Sequence, residues 1–223
     1  ENKAISFGTD PARTYAPLLG QFTARAWITL PDSIPTNDTT RTNVRGLFLK
    51  DGYKYMDNFD GDTLWTVLID EDSLTNNWEL GTPNYDYTYS AYSNSNSWDI
   101  LLNRGYTGNG QATSLISPFL DFSTVDDAII SFINNRDIDL QKDGVFLEYS
   151  FDRGQSWNEI NGVNDPGRIK WYNSFLAAGG FGGAPVFSGT TYCLGNTWAG
   201  FLESELQLPP VFNNVPEVLL RFT

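Results

Sequence analysis

Apolar and polar positions alternate in short runs along most of this chain, and the runs are rich in aromatic and β-branched residues. They fall at 20–30, 43–49, 64–69, 115–120, 128–133, 145–150 and 218–222, each bounded by Gly, Pro, Asn or Asp. A period of two predicts strands, because successive side chains face opposite sides of a pleated ribbon. A 3.6-residue repeat is almost absent. The pattern therefore predicts an all-β protein built as an antiparallel sandwich. Two long connections, 84–97 and 177–189, are rich in Ser, Asn, Tyr and Gly and are expected to run over the surface.

A boundary is expected near residues 49–57. Before it, only two strands (22–30 and 42–48) flank the polar loop 31–41. A lone hairpin is marginal in water. Residues 1–52 thus read as the trailing strands of an immunoglobulin-like domain that begins upstream, or else as strands added to the sheet of the main unit at 53–223. The last residues, Glu217-Val-Leu-Leu-Arg-Phe-Thr223, alternate like a strand with no turn after them. That ending reads as a sandwich truncated at its last strand, within a longer polypeptide.

The sharpest local signal is Ser150-Phe-Asp152-Arg-Gly154-Gln-Ser-Trp157, which has the Ser-x-Asp-x-Gly-x-x-Trp spacing of an Asp box. Asp152 is placed to accept hydrogen bonds from its own turn, Gly154 to reverse the backbone, and Trp157 to plug the hairpin as a largely buried ring. The device builds a turn and catalyses nothing by itself.

Composition narrows the function classes. The 223 residues carry 14 basic and 27 acidic side chains, a net charge of −13. Nucleic acid and anionic membranes would be repelled, whereas divalent cations would be attracted. No apolar run approaches the length of a membrane span. There is no histidine, which removes the usual general base and imidazole metal ligand. The single Cys193 has no intrachain disulfide partner and reads as a small buried apolar residue.

From Asp57 onward the order of motifs resembles the MAM-like jelly-roll domains found beside immune-inhibitor-A-type metallopeptidases and in surface proteins of Bacteroidota. The matching pieces are Asp57-Asn-Phe-Asp60 as an opening strand, Asn77-Trp-Glu-Leu-Gly-Thr-Pro83, Ser97-Trp-Asp-Ile-Leu-Leu102 with Gly105-Tyr106, and Ser114-Leu-Ile-Ser-Pro-Phe-Leu-Asp-Phe122. Ile130-Ser-Phe132, the strand and Asp box from Asp143 to Trp157, and Leu219-Leu-Arg-Phe222 complete the series. The segment between Trp171 and Trp198 departs from that pattern, and the closing strand is missing. The resemblance implies an antiparallel jelly-roll-like sandwich, an extracellular or cell-surface location and export by the type IX route; the lack of histidine, of a Gly-x-Ser-x-Gly nucleophile motif and of a zinc ligand set argues against catalysis. Asp32-Ser-Ile34, Asp62-Thr-Leu64 and Asp72-Ser-Leu74 are similar to O-glycosylation triplets of such exported proteins, making Ser33, Thr63 and Ser73 candidate modification sites.

The candidate chemistry is modest. Tyr85, Tyr87, Tyr89 and Tyr92 cluster in one polar loop with Asn94 and Asn96. In an extended segment the alternation of 85, 87 and 89 would put three rings on one side, suited to stacking on a sugar, or to packing on the sandwich itself. Asp57, Asp60 and Asp62 are candidate ligands of a structural Ca²⁺, with Asp60 foremost, since the family pairs that position with an acid of the closing strand. Their spacing is not that of an EF-hand, and a solvated turn is the other reading. Glu79, Asp86, Asp137, Asp139 and Glu148 supply the carboxylates a glycosidase would need. Yet the Asp box occurs once, where sialidase-type propellers repeat it. The expectation is a non-catalytic binding or adhesion module for glycans or surface proteins, acting beside neighbouring domains of its own polypeptide. A structural spacer, an accessory domain of a secreted peptidase and a glycosidase are the alternatives.

Overall fold

The computed structural model describes residues 21–27, 39–45, 49–51, 55–61, 63–68, 77–106, 112–177, 182–191 and 200–223, with the backbone alone for 21–51 and Leu68. The chain divides into two compact units, Glu1–Phe48 and Leu49–Thr223. In the first, β1 (Gln21–Trp27) and β2 (Thr39–Arg45) form an antiparallel ladder from Gln21↔Arg45 to Trp27↔Thr39. The sequence assigned residues 49–52 to this unit. Instead β3 (Leu49–Asp51) pairs in parallel with β8 (Phe119–Asp121) of the second.

The second unit is an all-β sandwich. One layer is a five-stranded antiparallel sheet ordered β11 (Asn158–Glu159), β10 (Leu147–Ser150), β15 (Leu219–Phe222), β7 (Ser114–Ile116) and β4 (Thr66–Leu68). Facing it are β9 (Ile129–Asn134) and β14 (Leu202–Gln207), antiparallel over six residue pairs from Leu202↔Asn134 to Gln207↔Ile129. A short pair, β12 (Ser174–Phe175) with β13 (Pro185–Val186), and the hairpin of β5 (Trp78–Gly81) and β6 (Ser97–Ile100) complete the unit.

Alternation explains the layers. In β9 residues 129, 131 and 133 are exposed, while 130, 132 and 134 turn inward. Phe132 reaches across the sandwich to Phe222, with ring centroids 5.0 Å apart, and lies edge-on to Trp171 and Phe187. Leu147, Val186, Phe212 and Val218 are fully sealed within this core. Pro185, Val186, Phe187 and Ser188 are buried too, so the far end of the connection expected at 177–189 is core and not surface loop. Its glycines had masked the apolar Pro-Val-Phe triplet.

The Ser117-Pro118 step lets one stretch of chain pass from the five-stranded sheet to a separate two-stranded one. Pro118 has no N–H to give a ladder. Ser117 Oγ accepts the hydrogen bond of Leu220 N at 2.9 Å and donates to Pro118 O at 2.7 Å, so pairing with 218–222 continues through the break. On one side β7 pairs with β4, and beyond the break β8 pairs with β3. Asp57-Asn-Phe-Asp60, expected as an opening strand, is a turn, with Phe59 at φ 63°. Asp57 draws it tight by accepting from Phe59 N at 2.8 Å, an Asx-type contact that competes with any strand. No helix among the described residues is long and apolar enough to cross a membrane.

Candidate functional site

The loop 82–96 joins β5 to β6 and is held from outside the hairpin. Asp60 Oδ1 accepts hydrogen bonds from Ser95 N (3.1 Å) and Asn96 N (3.0 Å), and Oδ2 accepts one from Asn94 Nδ2 (2.9 Å). Ser93 Oγ adds a bond to Asn58 O at 3.1 Å. These donors, Ser95 N foremost, hold the Asp60 carboxyl below its ordinary range, because each favours the charged form. Asp60 thus anchors a loop 34–36 residues away along the chain. Asp57 is engaged separately, accepting from Phe59 N, Thr63 Oγ1 and Tyr55 OH. Asp62 lies outside the described residues. Among the described residues no group of three or more His, Cys, Asp or Glu is arranged to hold a metal ion.

The four tyrosines stand on this anchored loop. Tyr85, Tyr87, Tyr89 and Tyr92 are 44%, 37%, 44% and 65% exposed, so each presents ring surface outward. The segment is not extended. Thr88 N bonds Tyr85 O at 3.0 Å and Asp86 sits at φ 45°, a tight turn that removes the one-sided alternation expected of 85, 87 and 89. A short acidic residue tolerates that left-handed backbone, which is why the turn forms at Asp86. Tyr85 rests over Gly105, and Tyr92 lies edge-on to Phe201 at 5.5 Å. Asn135 Nδ2 donates to Tyr87 O at 3.1 Å, joining the loop to the end of β9.

Beneath the loop, Glu79 and Asp99 are directly opposed across β5 and β6. Like charges so placed repel. Glu79 is compensated by Arg104 Nη2 at 3.0 Å and by Leu102 N at 3.1 Å. Asp99 accepts from Ile100 N at 2.8 Å and is pushed up to about 6, first by burial and further by Glu79, against the opposing pull of Ile100 N and Thr88. Sequence reasoning singled out Glu79 and missed Asp99, although hairpin register could have paired them. The other candidate acids are dispersed: Asp137 bridges Thr190, Asp139 pairs with Lys142, and Asp86 shapes the turn.

The Asp box closes as a hydrogen-bonded knot. Ser150 Oγ donates to Asp152 Oδ1 (2.7 Å) and accepts from Gly154 N (2.8 Å), while Ser156 N and Oγ both donate to Asp152 (2.9 and 2.6 Å). Ser156 above all, then Ser150, lowers the Asp152 carboxyl to about 2. Gly154 takes φ 85°, a conformation that L side chains rarely adopt. Trp157 is half-buried, not largely buried as expected. One side of its ring packs near Gly154, and the Arg221 guanidinium lies 4.3 Å from the ring centroid. Arg221 in turn bonds Glu148 Oε2 at 2.6 Å, so the box is tied to the last strand.

Of the candidate modification sites, Ser33 and Ser73 lie outside the described residues, as does Cys193. The Thr63 hydroxyl donates to Asp57 at 2.9 Å and accepts from Trp65 N at 3.2 Å, so a glycan there would displace the bond to Asp57. Comparison with protein-family models, curated proteins and solved structures gives no match.

Proposed function

We propose that this chain is a non-catalytic binding module of a larger secreted or surface-exposed bacterial protein, and that the loop 82–96 faces its ligand. One observation carries the reading: four partly exposed tyrosines on a loop whose backbone is fixed from below by Asp60. Fixing the loop before binding reduces the ordering entropy that association costs. Amphipathic rings with Asn94 and Asn96 beside them suit the apolar faces and hydroxyls of saccharides. The motif order and the net charge of −13 support an exported setting with glycan or protein partners and disfavour nucleic acid.

A glycan array with the intact chain and a Tyr87→Ala/Tyr89→Ala variant tests this. Binding that the double variant loses at an unchanged melting temperature is the expected result. No binding at millimolar sugar would favour the spacer reading instead. A glycosidase reading has one observation in its favour, the opposed Glu79 and Asp99 with Asp99 raised to about 6. Sugar release abolished by Asp99→Asn would establish it over the binding module.

A further inference from the structure

Strand β9 has one edge to spare. Glu205 of β14 exchanges both backbone hydrogen bonds with Ile169, N to O and O to N, each at 2.9 Å. Its amide and carbonyl therefore face away from β9. Along an antiparallel strand these groups alternate sides, so residues two apart point the same way. Ser204 and Leu206 thus turn toward β9, where they meet Phe132 and Ile130. The bond from Leu208 N to Ala128 O at 2.7 Å continues the same register. Ile129, Ser131 and Ile133 consequently aim their N–H and C=O groups past the other edge of the sheet. Among the described residues nothing takes up those groups, and β9 has no strand on that side.

The same three residues expose their side chains. Ile129 is 62% exposed, and Ser131 and Ile133 are exposed beside it. Across the ladder they stand next to Gln207, Glu205 and Glu203. Exposed Ile169 extends the Ser131–Glu205 row by one more position. Natural edge strands are blunted by charged side chains, Pro or a bulge, yet Ile129-Ile-Ser-Phe-Ile-Asn134 carries no charge and no Pro. An unguarded edge of β-branched residues is a template for strand addition. Among the described residues neither Glu203 nor Glu205 has an ion pair. Arg168 and Lys170 flank Ile169 on the far side of β14, and Arg168 Nη1 donates to Asp165 O at 2.9 Å instead.

We infer that the free edge of β9 takes an extended segment of a partner protein as an added strand, one with a Lys or Arg between two aliphatic residues at alternate positions. A strand laid opposite 129, 131 and 133 sets three of its side chains on the exposed face. Its two outer positions cover Ile129 and Ile133. Its middle position lies beside Ser131, whose small side chain leaves the way open to Glu205 on the next strand. Two strand spacings are about 10 Å, a gap that a Lys or Arg and a Glu side chain close together. Charge selects the partner: two unpaired acids on the face and a net charge of −13 attract a cationic segment and repel a second copy of this chain. Symmetry alone would admit that copy, because Ile-x-Ser-x-Ile reads alike in both directions and could pair with itself. The edge is a second binding surface, independent of the tyrosine loop.

The test is amide NMR of the full chain, titrated to millimolar concentration with the capped peptide Thr-Val-Thr-Lys-Thr-Val-Thr, whose order suits either strand direction. The amide protons of Ile129, Ser131 and Ile133 should move downfield saturably as they gain acceptors. Those of Ser204 and Leu206, already bonded to β9, should stay in place. A peptide with Glu in place of Lys should bind about tenfold more weakly, since attraction becomes repulsion. Glu205→Gln should weaken the Lys peptide about two- to fivefold, the worth of an exposed ion pair. Ser131→Lys, a change at an exposed side chain, should abolish binding at an unchanged melting temperature. No shift of the three amides with the Lys peptide would overturn the inference. Equal binding of the two peptides, or full affinity in Glu205→Gln, would end the choice of a cationic partner. Shifts that grow with protein concentration alone, with a doubled mass in sedimentation, would give the edge to a second copy and overturn the partner-strand reading.

Discussion

Replacing Glu148 with Gln removes one charge from the most enclosed ion pair of the described residues. Glu148 stands opposite Arg221 in the β10–β15 ladder and opposite Glu159 in the β10–β11 ladder. The two paired side chains are 11% and 19% exposed, so solvent screens them little. Glu148 Oε2 accepts from Arg221 Nε at 2.6 Å and from Thr223 Oγ1 at 2.8 Å. Breaking a buried pair costs about 3–5 kcal/mol, because the surviving charge keeps its desolvation penalty. The lower end, about 3 kcal/mol, is expected here, since Gln still offers an acceptor and the Trp157 ring still faces the guanidinium. Arg221→Met should cost a similar amount, and the double variant less than the sum by about 2 kcal/mol, as no lone charge then remains. Urea denaturation followed by tryptophan fluorescence measures all three. A second signature is pH. Glu159 is raised first by burial and then by Glu148, so its contribution is full below the ordinary Glu range and is lost as pH rises through its folded value. Glu148→Gln should flatten that slope. Single losses under ~1 kcal/mol, or losses that add within ~0.5 kcal/mol, would refute the reasoning.

Trp157→Ala should cost about 2 kcal/mol, less than the ~3–5 kcal/mol of a fully buried aromatic, because the ring is only half-buried; a loss at the buried value would show that its exposure is misjudged. Asp60→Asn should speed amide hydrogen exchange at Ser95 and Asn96, and neither CaCl₂ nor EDTA should change that exchange in the parent protein; a calcium-dependent slowing would replace the hydrogen-bond anchor with a metal site. With its folded value depressed, the Asp60 anchor should persist above the ordinary carboxylate range and weaken as pH falls through the folded value. Asp99 has the opposite sign: raised from 3.8 to about 6, it favours the fold most at low pH and loses that contribution as pH climbs across this interval. Asp99→Asn should therefore raise stability at pH 7 by up to about 3 kcal/mol, and an unchanged pH profile would contradict it.

What the sequence determined by itself was local. Alternation was clean in β10, where Leu147 and Tyr149 share one face and Glu148 and Ser150 the other, but not in β9, whose outer face carries the exposed Ile129 and Ile133. The Asp box was legible because its bonds join residues two to four apart, so Ser150, Asp152 and Gly154 carry the whole turn within one octapeptide. Local reading also failed locally where a side chain could compete with the backbone. Asp57 and Asp86 turned expected extended segments into tight turns. Tertiary structure alone decided the rest, because its partners are distant in sequence. Asp60 meets a loop 34–36 residues away, Glu148 meets Arg221 across 73, and β3 meets β8 in parallel. No alternation pattern shows which acid finds a cation and which arginine is left without one. Arg136 looked like any charged residue at the end of a strand. Its burial over Phe187, with no carboxylate of the described residues paired to it, exists only after the two layers close.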